Sequence, residues 1–277
     1  MKLRATYIST LILAIGALSA CSSGPAAPEK GSPAWLWAAA NETFGHGDWL
    51  KASEHLGNLS GGSSEFAEKA RPMELLVLGG MADGYIQLAD AYELGARANK
   101  ANPAQFRRPA SEYRNQANRI ALSFAEKFAK FQKASKGDTV ALEFAFPKGS
   151  TTPPLQLGRI QTGVAIPLAE ATDLQDKMVA RGVVMAVCDA VDAPGDPAKG
   201  AGILKSGSAS QPRAKFAGGL AGDLYKFSQI YTPTKLDIPD KVKYFLTAAS
   251  EAVTIAPDGK DKKELIAKIE SAKKKMK

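Results

Sequence analysis

From Pro33 to the C-terminal lysines, apolar side chains recur every three or four residues over most of the chain. A three-to-four period collects side chains on one face of an α-helix, whereas a half-buried strand needs a period of two. Trp35, Leu36, Ala39, Ala40 and Phe44 form the first such face, closed by Gly45-His46-Gly47-Asp48. Asp48 is placed to cap a second helix carrying Trp49, Ala52, Leu56 and Leu59, which Gly61-Gly62-Ser63-Ser64 ends. A long apolar stretch runs from Glu65 to Asn99, and its glycines at 79, 80, 84 and 95 predict close helix packing or a break. Pro109 fits a first helical position for a segment presenting Tyr113, Ala117, Ile120, Phe124, Phe128 and Phe131.

Helical spacing resumes at Pro153-Pro154, with Pro167 kinking or dividing the run, and continues through Leu174, Met178, Val184, Cys188 and Val191. Three further helices are expected over Arg213 to Tyr231, Pro239 to Ile255 and Asp261 to Lys277. The exception is Val140, Leu142, Phe144 and Phe146, which alternate up to Pro147. One strand cannot stand alone, so this stretch reads as an extended buried linker. Residues 193–212 read as a loop from their Gly, Ser, Ala and Pro content. The expected fold is all-α, with around eight helices arranged as antiparallel hairpins in a short solenoid or bundle. A hydrophobic content of 45% over 277 residues excludes wholesale disorder and a multi-span membrane protein.

The N-terminus has a different character. Lys2 and Arg4 precede an uncharged run from Tyr7 to Leu18, shorter than the roughly 20 apolar residues that span a bilayer. Such a run fits the hydrophobic core of a secretory signal. It ends in Leu18-Ser19-Ala20-Cys21, which resembles the lipobox of bacterial lipoproteins at all four positions. The resemblance implies that Cys21 becomes the first mature residue and carries the lipid attachment, including palmitate-like acyl chains. Ser22 following it implies sorting to the outer membrane, facing the periplasm. Two or three chains make such an anchor lasting where one holds only marginally. The expected organisation is a signal peptide over 1–20, a flexible tether over 21–32 and a helical domain over 33–277, with linkers near 134–154 and 193–212.

Gly47, Asp48, Trp49, Ala52 and Leu56 resemble the hinge of a tetratricopeptide repeat, in which a small residue packs where two helices cross and an aromatic seals the gap. Tyr85, Leu88, Ala89 and Tyr92 match the spacing of a repeat's first helix, and Glu251 to Lys277 is similar to a repeat end with its capping helix. Strict repeats cover about a quarter of the chain, without a sustained period. The helix order is also loosely similar to lipoprotein accessory components of tripartite periplasmic transporters.

Catalytic and metal constellations are not evident in the sequence. His46 and His55 lie nine residues apart, off ligand spacing, and read as surface histidines. Cys188 sits on the apolar stripe of Val184 and Val191, so it reads as a buried inert thiol rather than a nucleophile. Glu170 with Asp173, and Asp189 with Asp192, are spaced as solvated helical pairs. Arg107, Arg108, Arg114, Arg119, Lys127 and Lys130 read as a solvated face. Trp35, Trp37 and Trp49 are expected in the core of the first hairpin, with Trp35 or Trp37 partly exposed because neighbours two apart cannot share a face.

The net charge of +8 invites a nucleic-acid reading, which the distribution removes. Without Lys2 and Arg4 the charge is +6, and residues 260–277 alone hold +5, which leaves the body at +1. Leu265, Ile266, Ile269 and Met276 give that terminal helix a stripe with which to dock. The expected function is therefore non-enzymatic, with no cofactor, no metal and no nucleic acid. The chain would be a lipoprotein scaffold for an envelope protein or peptide. The alternative is an accessory protein of a transport system that holds a small apolar ligand in its bundle. Cys21→Ser is expected to abolish acyl labelling and move the protein to the soluble fraction; a variant that still sediments with membranes would refute the anchor.

Overall fold

A computed structural model describes residues 28–134, 137–143, 157–191 and 208–276, together with the single positions 196, 198, 202 and 206. It is an all-α fold, 77% helical, with nine helices and one small two-stranded sheet among the described residues. The helices are α1 (Pro33–Gly45), α2 (Trp49–Ser60), α3 (Glu65–Ala98), α4 (Ala104–Ala134), α5 (Gly158–Gln161) and α6 (Leu168–Ala190). After them come α7 (Arg213–Ser228), α8 (Pro239–Thr254) and α9 (Lys260–Lys274). The signal segment, Cys21 and the tether as far as residue 27 lie outside the described residues, as do Phe144, Phe146, Pro153, Pro154 and Asp192. Among the described residues no helix is long and apolar enough to cross a membrane.

The first hairpin follows from its hinge residues. Gly47 takes φ +76°, a left-handed turn that favours glycine. The Asp48 carboxylate then accepts from Lys51 N at 3.3 Å, satisfying one of the free donors that open α2. Trp49 meets Phe44 edge to face at 5.1 Å, and Ala52 is fully buried. Trp35 and Trp37 are both half-buried, so the exposure expected of one is shared between them.

α3 organises the rest. Every residue from Pro72 to Tyr85 is buried, which an amphipathic surface helix cannot show. It packs chiefly against α4, α6 and α2. The glycines permit close approach and do not break the helix. A Cβ on Gly80 would stand 2.3 Å from Val183 Cα, and one on Gly182 would stand 2.0 Å from Gly80 O. The same device recurs where α7 meets α6, with a Cβ on Gly219 falling 2.2 Å from Asp189 O.

Three local expectations need correction. Pro109 is not at the start of α4, which begins at Ala104. The extra turn brings in Phe106, only 1% exposed and 6.3 Å from Tyr92, and that burial outweighs the backbone bond a proline cannot donate. The alternating segment is a strand after all: β1 (Thr139–Glu143) pairs antiparallel with β2 (Ser208–Pro212), in register from Thr139↔Pro212 to Glu143↔Ser208. Its partner lies in the segment that composition had made a loop, and Val140 and Leu142 are buried beneath it. Lastly, α9 docks chiefly through Ile269, since Ile266 and Met276 are each 39% exposed.

Gly80→Ala is expected to destabilise the fold by about 1–3 kcal/mol through overpacking. Gly222→Ala, whose Cβ would meet nothing within 4 Å, is expected to stabilise it by about 0.5–1 kcal/mol. Urea unfolding of the two variants measures the contrast, and equal midpoints would contradict the close contact between α3 and α6.

Candidate functional site

The close approach of α3, α6 and α7 brings four charged residues together at one place. Asp83 comes from α3, Asp189 from the end of α6, and Asp223 and Lys226 from α7. Asp83 Oδ2 accepts from Gln87 Nε2 at 2.7 Å, and its Oδ1 meets the Lys226 ammonium as an ion pair. Asp223 is 6% exposed, and its Oδ2 has no hydrogen-bond partner. A buried carboxylate left so is costly, by at least about 1–3 kcal/mol.

Asp189, Asp223 and Lys226 border a cleft of about 620 Å3 between α7 and the α8–α9 hairpin. One wall is the glycine face of α7, with Gly218, Gly219 and Gly222. The other carries Val253, Pro257 and Leu265, with charged residues of both signs from α9. Lys262 is already committed there: its Nζ donates to Thr254 O at 3.1 Å and Ala256 O at 2.8 Å, capping the end of α8. Among the described residues none that borders the cleft is aromatic. The cleft is thus neither the enclosed apolar cavity of a lipid-like carrier nor a groove lined by aromatic side chains.

The electrostatics follow from burial. Burial pushes the Asp223 carboxyl well above the usual carboxylate range, and neighbouring Asp189 and Asp83 push the same way against Lys226. Burial likewise moves Asp189 up to about 6, opposed by Lys226. Burial works against the charge of Lys226, but Asp83 overcomes it and holds the ammonium above its ordinary value. Two acids with raised pKa values beside a cleft mark a candidate binding site.

The residues singled out from the sequence fall elsewhere, with one exception. His46 is exposed and His55 is half-buried, 5.8 Å from Trp35 edge-on. No group of three or more His, Cys, Asp or Glu among the described residues could hold a metal ion. Cys188 is fully buried, with Sγ 3.2 Å from Asp196 O. Glu170 pairs with Arg159 at 2.9 Å and Asp173 with Lys177 at 2.6 Å, as surface pairs. Asp189 departs from expectation, because it turns into the cleft and not to solvent. Arg114 and Lys127 are also not part of a solvated face. Arg114 is held by Glu93 and Asp90, and Lys127 pairs at 2.6 Å with Glu74, itself 4% exposed.

Asp83, Asp223 and Lys226 are the residues that sequence reasoning missed. Their signal was a single acid inside an otherwise apolar and glycine run, LLVLGGMADGY for Asp83 and FAGGLAGDLYKF for Asp223. A second concavity of about 580 Å3, at the turn between α3 and α4, is bordered by Glu93, Arg97, Lys100 and Arg107. Its three basic side chains are exposed, so it lacks a buried recognition group. The fold and cleft thus define an all-α protein with a cleft bordered by charged and apolar residues beside the junction of α3, α6 and α7. No family model, curated protein or solved structure matches this chain.

An unfolded aspartate titrates near 3.9, so Asp189 binds its proton more tightly when folded. Its contribution favours the fold fully below about pH 4 and is lost as pH rises to about 6. Asp189→Asn should therefore gain on the parent in unfolding free energy between pH 4 and 7, and be the more stable at pH 8. A constant difference across that window would refute the raised value.

Proposed function

We propose that this chain is a lipid-anchored, periplasm-facing protein of the cell envelope that binds a small polar ligand in the cleft between α7 and the α8–α9 hairpin. The observation that carries the reading is Asp223, a buried carboxylate without a partner at the border of a cavity of ligand size. Folding retains such a group at a cost, and a ligand that meets it recovers that cost. The envelope address rests on the lipobox resemblance at Cys21 and the tether that follows it. In this role the protein binds without turnover, as an accessory to a transport system, and the ligand is polar and not apolar. A helical scaffold for a protein partner is the second reading. It is favoured by Leu168 and Leu50, 84% and 69% exposed, but these are single side chains on α6 and α2, and scattered exposed apolar residues need no partner.

Gly222→Leu tests the ligand reading, because position 222 borders the cleft and has open space around its missing Cβ. The variant should keep its helicity and unfold at a midpoint no lower than the parent's. It should also lose a small molecule that native mass spectrometry finds on the parent protein purified from its own membranes. A parent without such a molecule, or a variant that retains it equally, would overturn the reading.

A further inference from the structure

Resting on the cleft reading above, we infer that the ligand is an organic cation, a primary ammonium group carried on a short apolar chain. The charges at the cleft support this class. Among the described residues, Asp83, Asp189 and Asp223 face a single ammonium, Lys226, and Asp83 already claims it. The rim does not shift the balance, since Asp261 and Glu264 stand beside Lys215 and Lys268 there, and Lys262 is spent on the α8 carbonyls. The uncommitted acids are thus Asp189 and Asp223, whose ionised forms an anion would meet unfavourably and a neutral molecule would leave without a counter-charge. An ammonium supplies both the opposite charge and N–H donors for carboxylate oxygens.

The walls narrow the class further. A quaternary ammonium has no N–H to give and is recognised by aromatic faces, and among the described residues no aromatic side chain borders this cleft. A primary ammonium is recognised by carboxylates, which are present. Val253, Pro257 and Leu265 offer an apolar wall opposite the bare backbone of Gly222, which leaves room for a short aliphatic chain.

Binding has a proton balance that a casual surface contact lacks. Burial holds the Asp223 carboxyl above the ordinary carboxylate range, so it keeps its proton to higher pH than a free aspartate. The ammonium arrives already charged, and whatever proton Asp223 still holds passes to solvent as the carboxylate–ammonium pair forms. No bond to carbon forms or breaks, and nothing is oxidised.

Isothermal calorimetry on the protein at pH 8 tests this with four probes of one length: n-pentylamine, 1-pentanol, pentanoate and pentyltrimethylammonium. Pentylamine should bind at least about tenfold more tightly than each of the others. Repeating the titration in buffers of different ionisation enthalpy should show net release of protons and not uptake. Asp223→Asn should lose that release, and Asp189→Asn should weaken binding by about tenfold while keeping it, so the test survives failure of either variant to fold. Equal or tighter binding of pentanol, pentanoate or the quaternary amine, blocked by Gly222→Leu, would overturn the cation class and leave the cleft reading standing. Pentylamine binding that Gly222→Leu leaves unchanged would overturn both. No binding by any probe would overturn the cation class, while the co-purified molecule continues to decide the cleft.

Discussion

The contact of Gly80 with Gly182 and Val183 is the constraint from which most of this fold follows. With no Cβ on either glycine, the backbones of α3 and α6 approach to distances that any other residue would forbid. Gly84 extends the contact by one turn, where a Cβ would stand 2.9 Å from Val179 Cα. Gly219 repeats it between α7 and α6, and Gly218 sets α7 against Ala256 at the end of α8, with a Cβ there 2.7 Å from Ala256 Cβ. Four helices are thereby stacked through their thinnest faces. Dispersion gains rise steeply at such separations, and the register leaves little latitude for sliding.

That stacking also explains why charge is found inside an apolar protein. Asp83 is one turn beyond Gly79 and Gly80 on α3, and Asp223 follows directly on Gly222 of α7. Asp223 Oδ2 lies 3.5 Å from where a Cβ on Gly79 would stand. The glycines that let the helices close thus deliver the acids to one junction. Lys226 neutralises Asp83, and the rest is left over. The contrast with the Glu74–Lys127 pair is informative. There Lys127 also donates to Ser60 Oγ at 3.1 Å, so a buried acid is fully answered by structure alone. At Asp223 no hydrogen-bond donor answers Oδ2.

Much of the fold is legible in the sequence because helical spacing reports burial directly. The first hairpin is the best case, since Gly47, Asp48 and Trp49 each do locally what their chemistry predicts. β2 is not legible: Ser208 to Pro212 carries no apolar alternation, and it becomes a strand only because β1 needs its backbone groups paired. Pro109 misleads for a related reason, as the burial of Phe106 sets the start of α4 from a distance. The cleft lay still further from view. Asp189 looked like half of a solvated pair with Asp192 because spacing within one helix says nothing about which neighbour closes over it. Only Asp83 and Asp223, as lone acids in apolar glycine runs, carried a readable sign.

The two walls of the cleft are held by different forces, and this decides which of them yields. The floor belongs to α6 and α7, locked by backbone contact and by fully buried Val187, Leu220 and Leu224. The outer wall is α9, in which Ile269 is the one buried residue. What fastens its near end is Lys262, whose ammonium caps the carbonyls of α8 and pairs with Asp258 at 3.1 Å. Asp258 is almost wholly exposed, so that pair contributes little in water. Apolar burial stabilises at about 25 cal/mol per Å2, and α9 buries little. Of the two walls, α9 is therefore the more weakly fastened, and the α6–α7 floor that carries Asp189 and Asp223 is the more firmly packed.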